Sequence, residues 1–111
     1  MIHVYLDDFR SCPKGFVLAK NVEECNMLID DNAIDILSLD YDLGWGEPHG
    51  IEVVRHMIAM RRFPRSIYLH TSSVAGRIQM YDLLVKHIPE TTKLYGGAMP
   101  SSILSHVAAN G

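Results

Sequence analysis

Four aspartates in two separate groups are the residues of this chain whose type and spacing best suit chemistry. Asp7 and Asp8 end one short apolar run, and Asp40 and Asp42 follow another. Two carboxylates about 4 Å apart repel by about 4 kcal/mol at an effective dielectric constant of about 20, so a converging group needs a cation, shared protons or wide spacing. Oxygen ligands without cysteine favour Mg²⁺ over zinc. We therefore predict Mg²⁺ as the cofactor, with Asp7, Asp8 and Asp40 as its ligands.

The alternative for these aspartates is purely local. Asp7 and Asp8 would then cap the loop that follows them, and Asp42 would make a turn.

A second polar segment runs from His70 to Ser73 and opens a predicted helix. His70 is a candidate general acid or base because imidazole titrates near neutral pH, and a structural role for it is equally open. Hydroxyl groups and unpaired backbone N–H groups at a helix N-terminus bind anions, and guanidinium groups bind phosphate through two N–H donors. The alternative for Ser73 is a plain helix cap. The predicted phosphate ligands are Arg10, Thr71, Ser72, Ser73 and Arg77.

Strands that alternate with helices position these clusters. Strand-like runs cover residues 2–6, 16–19, 34–39, 66–69 and 91–95. Helical patterns begin at the capping residue Asn21, at Ile51 and at Val74. The last of these rests on apolar residues spaced by four and three, namely Val74, Ile78, Tyr81, Val85 and Ile88.

The alternation predicts the architecture. Strands that alternate with helices form a parallel sheet covered on both faces, and ligands bind beyond the carboxyl ends of its strands. All three polar clusters fall at that edge. We predict one three-layer α/β domain of about five strands over residues 1–111, with its core over 1–96 and a tail or short helix over 97–111.

Composition limits the partners and the compartment. The chain has 111 residues, of which 48% are hydrophobic, and a formal charge of −3. That charge argues against a broad surface for duplex nucleic acid. Cys12 and Cys25 suggest free thiols in a reducing compartment, and neither a signal sequence nor a membrane span is evident. We expect a cytoplasmic protein with no membrane partner. The sequence does not indicate whether the chain forms oligomers.

The order of the polar residues resembles the receiver fold of response regulators. In that family an acidic pair follows a strand, a phosphoacceptor aspartate ends a later strand, a threonine or serine ends the next, and a lysine lies on the last. The acidic pair at 7–8, Asp40 and Thr71 occur here in that order, and Lys93 is roughly in register with the lysine. Residues 9–15 contain a proline and a glycine, so a loop is predicted where the family has its first helix.

Three motifs resemble one branch of that fold more closely, the cyclic-phosphate processing receiver-like domain. Its marks are an LDD-x-R-x-x-P start, an SLD-x-D-LG strand end, and an H-[ST]-S segment followed by a Gly-Arg pair. The chain has LDDFRSCP at 6–13, SLDYDLG at 38–44, and HTSS at 70–73 with Gly-Arg at 76–77. The resemblance covers about residues 1–88.

The resemblance implies a metal-dependent phosphoesterase acting on cyclic or terminal phosphates of RNA or nucleotides, with RNA repair as a setting. Asp40 or a water on the metal would attack phosphorus, and Asp42 or His70 would handle the proton. The partner would be a phosphorylated small molecule or an RNA end. Two alternatives stay open: a signalling receiver phosphorylated on Asp40, and an inactive adaptor that uses the fold as a binding surface.

Overall fold

The apolar runs of the sequence form the strands of one parallel sheet. A computed structural model describes residues 1–110, and in that range the sheet has the order β2-β1-β3-β4-β5. Its elements along the chain are β1 (Ile2–Leu6), β2 (Val17–Ala19), α1 (Val22–Asp31), β3 (Ile34–Leu39), α2 (Ile51–Met60), β4 (Ser66–Leu69), α3 (Val74–Val85), β5 (Lys93–Tyr95) and α4 (Ser101–Asn110). The predicted α/β class and the five strands are confirmed.

The sheet is covered by helices on both faces because its strand residues alternate between two cores. One core packs α1, α2 and α3 against strand residues such as Leu6, Leu39 and Leu69. The other is smaller and packs residues such as Val107 of α4 against Tyr5 and the neighbouring strand positions. None of the helices within residues 1–110 is long and apolar enough to cross a bilayer.

The connection from β1 to β2 contains no helix, as the sequence predicts. Residues 7–16 form a loop between two parallel strands, and its second half folds back, with the Phe16 N–H donating to the Pro13 carbonyl. Cys12 and Phe16 pack against the smaller core. The loop therefore covers this part of the sheet where a helix would otherwise lie. Asp8, Phe9 and Arg10 remain at the carboxyl edge of the sheet.

Helix α3 exists as predicted, but the apolar stripe that predicts it faces solvent. The side chains of Val74, Ile78 and Val85 are more than half exposed. The helix is instead anchored through Met80 and Leu84, which are fully buried. Both faces of this helix are apolar, so periodicity alone could not show which one is buried.

The position of Lys93 in the sheet differs from the one that the receiver resemblance leads us to expect. It is the first residue of β5 and pairs with Ser66, the first residue of β4. In a parallel sheet both residues therefore lie at the amino edge, opposite the polar clusters. The carboxyl end of β5 is followed by Gly96 and Gly97, which offer no cationic side chain there.

Gly50 provides a test of how tightly the loop after β3 is packed. Its N–H donates to the Tyr41 carbonyl at 2.8 Å, and a Cβ at this position would overlap the carbonyl oxygen of Asp40. We predict that Gly50→Ala lowers the free energy of unfolding by up to about 3 kcal/mol, because backbone cannot yield as a flexible side chain would. Urea denaturation measures this change. Gly97→Ala is the control, since its added Cβ would meet no atom within 4 Å beyond the adjacent residues. Equal losses in the two variants would contradict the prediction.

Candidate active site

Three polar residues become neighbours because the hydrogen-bond ladder continues one residue beyond the strands. Leu6, Leu39 and Leu69 are aligned across β1, β3 and β4. The next residues are Asp7, Asp40 and His70. The Asp40 N–H donates to the Leu6 carbonyl at 3.1 Å, and the His70 N–H donates to the Leu39 carbonyl at 3.0 Å. The predicted convergence of strand ends is therefore observed for these three side chains.

Asp7 is the most constrained of them, with a side chain that is fully buried. Its Oδ1 accepts from the backbone N–H groups of Phe9 (2.8 Å) and Arg10 (2.9 Å). Its Oδ2 accepts from Arg10 Nη1 and from His70 Nε2, both at 2.8 Å. Four donors fill the four acceptor positions of a carboxylate.

These donors determine the protonation of Asp7. Burial by itself raises the pKa of this carboxyl, but the backbone N–H groups of Arg10 and Phe9 oppose it, together with the side chains of Arg10 and His70. The result is a pKa lowered to about 2. Asp7 is thus an ionised anchor for the loop, as the local alternative predicted for it.

His70 is held on three sides. Its ring stacks on Tyr5 with centroids 4.3 Å apart and planes 3° from parallel. Nε2 faces the Asp7 carboxylate, which only accepts, so Nε2 carries the proton. Burial lowers the pKa of His70 despite the bond to Asp7, so the neutral ring is favoured and Nδ1 accepts from the Ser38 hydroxyl at 2.6 Å. With both nitrogens engaged, His70 orients Asp7.

Asp40 is the carboxylate of this group that keeps free acceptor capacity. Its Oδ1 accepts from the Tyr41 N–H at 2.7 Å, and its Oδ2 accepts from Arg10 Nη1 at 3.2 Å. The side chain is 7% exposed. Each oxygen has one more acceptor position, so Asp40 can receive a proton or an additional ligand.

Arg10 bridges the two buried carboxylates. The same Nη1 bonds Asp7 and Asp40, while 39% of the side chain remains exposed. One guanidinium beside two carboxylates and a neutral imidazole leaves one net negative charge. The remaining N–H donors of Arg10 are available to an anion that approaches from solvent.

The fit of a divalent cation depends on Arg10. Asp7, Asp40 and His70 each offer one ligand atom, and these atoms lie within 4.8 Å of one another. Arg10 Nη1 contacts Oδ2 of each aspartate. Rotation of this partly exposed side chain would release both oxygens. Mg²⁺ is bound through one or two carboxylates with water and phosphate completing its shell, whereas imidazole suits other metals, so the pair Asp7 and Asp40 fits Mg²⁺.

Asp8 and Asp42 lie outside this group of three. Asp8 is exposed, with Oδ2 3.2 Å from the position that a Cβ on Gly44 would occupy. Asp42 is 68% exposed, and its Oδ1 lies 3.9 Å from Nε2 of His49. Their roles as metal ligand and as catalytic group stay predictions.

The predicted phosphate ligands after β4 differ in their surroundings. Thr71 is buried and its Oγ1 accepts from the Ser73 N–H at 3.1 Å. Ser73 caps α3 by accepting from the Gly76 N–H at 3.0 Å, while Ser72 is exposed. Arg77 is half-buried, one turn into α3, and stays a predicted ligand.

Sequence reasoning assigned no role to Ser38, Tyr5 or Tyr41, which complete the site. The serine between two leucines directly before Asp40 is the sequence signal that could have identified Ser38. Tyr41 follows Asp40 and lies on α3 at Gly76, where a Cβ would overlap its ring. The absence of a side chain at Gly76 therefore makes room for the ring of Tyr41.

The sheet order, the aspartates after β1 and β3, and the threonine after β4 define a receiver-like domain. The chain matches the sequence model of the cyclic-phosphate processing receiver domain over residues 2–86, and it belongs to that family. This match confirms the resemblance drawn from the three motifs. No curated protein matches the chain.

The lowered pKa of Asp7 predicts how stability responds to acid. The unfolded carboxyl has a pKa of 3.8 and the folded one about 2, so the stabilisation is present above pH 3.8 and is lost as pH falls toward 2. We expect a loss of about 2 kcal/mol over that window. Urea denaturation at several pH values measures it in the wild type and in Asp7→Asn, where this component should be absent. An unchanged acid dependence in Asp7→Asn would contradict the assignment.

Proposed function

We propose that the protein is a phosphoesterase that hydrolyses cyclic or terminal phosphates of nucleotides or RNA ends. One observation carries this proposal: Asp40 has unused acceptor capacity directly beside the partly exposed guanidinium of Arg10. A group that takes up a proton thus lies next to a group that binds phosphate oxygens. The family, described as processing cyclic phosphates, supports the same substrate class.

Arg10 would bind the phosphate, and Asp40 would activate the attacking water. The proton of that water passes to Asp40 while the water oxygen bonds to phosphorus. An ester P–O bond breaks in the same step. The released oxygen takes up a proton, so one water is consumed and a phosphomonoester or free phosphate results. The hydroxyl groups of Thr71, Ser72 and Ser73, with Arg77, are the proposed further ligands of the phosphate oxygens.

Mg²⁺ is the proposed cofactor; Asp7 and Asp40 would hold it, and Asp8 is the further predicted ligand. When bound, it supplies positive charge to the phosphate oxygens. Arg10 would then leave the two carboxylates and follow the phosphate, so its bonds with Asp7 and Asp40 would be exchanged for bonds with the substrate.

Asp42 and His70 are the two proposed carriers of the second proton, and exposure favours Asp42. Asp42 is open to solvent, with which it can exchange protons. The His70 side chain is 5% exposed and holds its Nε2 proton toward Asp7. We propose that His70 acts mainly by orienting Asp7 and that Asp42 exchanges the proton.

The rival function is a receiver in which Asp40 itself accepts and keeps a phosphoryl group. The position of Asp40 after β3 and the buried Thr71 after β4 favour it. The position of Lys93 at the amino edge opposes it, because the cation that receivers place near the phosphoryl group is then missing from β5.

An assay with Mg²⁺ and a 2′,3′-cyclic nucleotide tests the proposal. We predict multiple turnover by the wild type and a loss of about 10² or more in Asp40→Asn, because a general base alone contributes about that much and the variant also lacks a proposed Mg²⁺ ligand. Asp31→Asn, an exposed carboxylate at the end of α1, is the matched control and should keep full activity. Incubation with acetyl phosphate separates the rival, which predicts one stable phosphate per chain that is lost in Asp40→Asn. No turnover with stable labelling would overturn the proposed enzyme.

Substitution of Arg10 should have opposite effects on the binding of Mg²⁺ and of phosphate. Arg10→Gln should tighten Mg²⁺ binding by about fivefold or more, because it removes a competing unit charge that contributes between about 1 and about 4 kcal/mol at about 4 Å. The same variant should weaken binding of inorganic phosphate. Calorimetry measures both affinities, with Asp40→Asn as the variant expected to lose Mg²⁺. Absence of Mg²⁺ binding in both the wild type and Arg10→Gln would favour the inactive adaptor.

A further inference from the structure

Phe9 and Trp45 are the two most exposed of the large apolar side chains in residues 1–110, and the proposed reaction leaves both unused. Phe9 is 92% exposed and Trp45 is 88% exposed. They follow β1 and β3, so both lie on loops at the carboxyl edge of the sheet, where the candidate active site is. Single apolar residues scattered over a surface are ordinary, but two large aromatic rings beside one site are typical of a surface that binds a ligand.

The two loops adjoin each other. A Cβ on Gly44 would lie 3.2 Å from Oδ2 of Asp8. The next residues along the chain are Trp45 and Phe9, respectively. The Glu47 N–H donates to the Gly44 carbonyl at 3.2 Å and closes a turn with Trp45 at its tip. The glycines on both sides of Trp45 have positive φ, which costs glycine little, so the turn is well suited to hold this side chain in solvent.

We propose that Phe9 and Trp45 bind the nucleobase of a nucleotide by stacking, while Arg10 binds its phosphate. The inference rests on the proposed phosphoesterase function, because that function assigns the phosphate to Arg10. Phe9 directly precedes Arg10, and the backbone N–H groups of both residues donate to Oδ1 of Asp7, so their relative position is fixed. Every base has a face that can stack on an aromatic ring, so such a contact selects nucleotides without selecting one base.

The charges near Trp45 support a nucleobase as the occupant. Asp8, Asp42 and Glu47 are exposed on the same two loops. Carboxylates repel the phosphates of a nucleic-acid strand, whereas a base carries no charge, so one phosphate at Arg10 is the only charge of the ligand that needs a cation. The centre of a protein interface is depleted of charged residues, which argues against a protein partner here. The occupant is therefore the base of a single nucleotide.

Fluorescence tests the inference without any turnover, because Trp45 is the only tryptophan of the chain. Adenosine 3′-monophosphate should quench the Trp45 emission saturably, and more strongly than inorganic phosphate, which has no base. Phe9→Ala should weaken the apparent affinity by about fivefold or more, the lower limit for one stacked base. Met60→Ala is the matched control, since Met60 is 51% exposed and ends α2 at the opposite edge of the sheet. Quenching no greater than that by inorganic phosphate would refute the inference.

Steady-state kinetics separates a failure of this inference from a failure of the proposed function. The substrates are adenosine 2′,3′-cyclic phosphate and glycerol 1,2-cyclic phosphate, which has the same phosphate ring but no base. A base contact made equally in the ground and transition states changes KM more than kcat. Trp45→Ala should therefore reduce the preference for the nucleotide, taken as the ratio of the two KM values, by about fivefold or more.

Two further variants distinguish stacking from a general apolar contact. Trp45→Phe should restore most of the preference because it keeps an aromatic face, whereas Trp45→Leu should not. Turnover with an unaltered preference in Trp45→Ala would refute the base contact and leave the phosphoesterase standing. Saturable quenching by the nucleotide without any turnover would refute the phosphoesterase and support the base contact.

Discussion

The buried carboxylate of Asp7 is the interaction on which the carboxyl edge of this fold depends. An ionised group without solvent is costly unless donors surround it, and here the backbone of residues 9 and 10, Arg10 and His70 provide them. The same bonds give the loop after β1 its shape without a helix. They also fix the ring of His70, and through it the hydroxyl of Ser38. A single charge thus orders one loop and two strand ends.

Much of this arrangement follows from local sequence signals. Short apolar runs that stop at polar residues mark the strands, and parallel pairing then places Asp7, Asp40 and His70 at one edge. The cap at Asn21 was also evident, and its side chain accepts from the Glu24 N–H. What made these features predictable is that each depends on residues close in the chain or on strand order alone.

Other features depend on contacts that a linear pattern does not contain. Neighbours in an extended segment point to opposite sides, so Asp7 and Asp8 do not both face the cluster. The bridge made by Arg10 requires knowledge of how the loop turns back. Helix α3 has two apolar faces, and only its packing on the sheet determines that the face with Met80 and Leu84 is buried. The position of Lys93 required the register of an edge strand.

The contact between Tyr41 and Gly76 couples two positions that lie far apart in the chain. The Tyr41 ring occupies the space that a side chain at 76 would need, and its N–H holds an oxygen of Asp40. A larger residue at 76 becomes acceptable only when residue 41 becomes smaller, and such an exchange would shift the reactive carboxylate. Homologues should therefore vary at these two positions jointly, and seldom at either one alone.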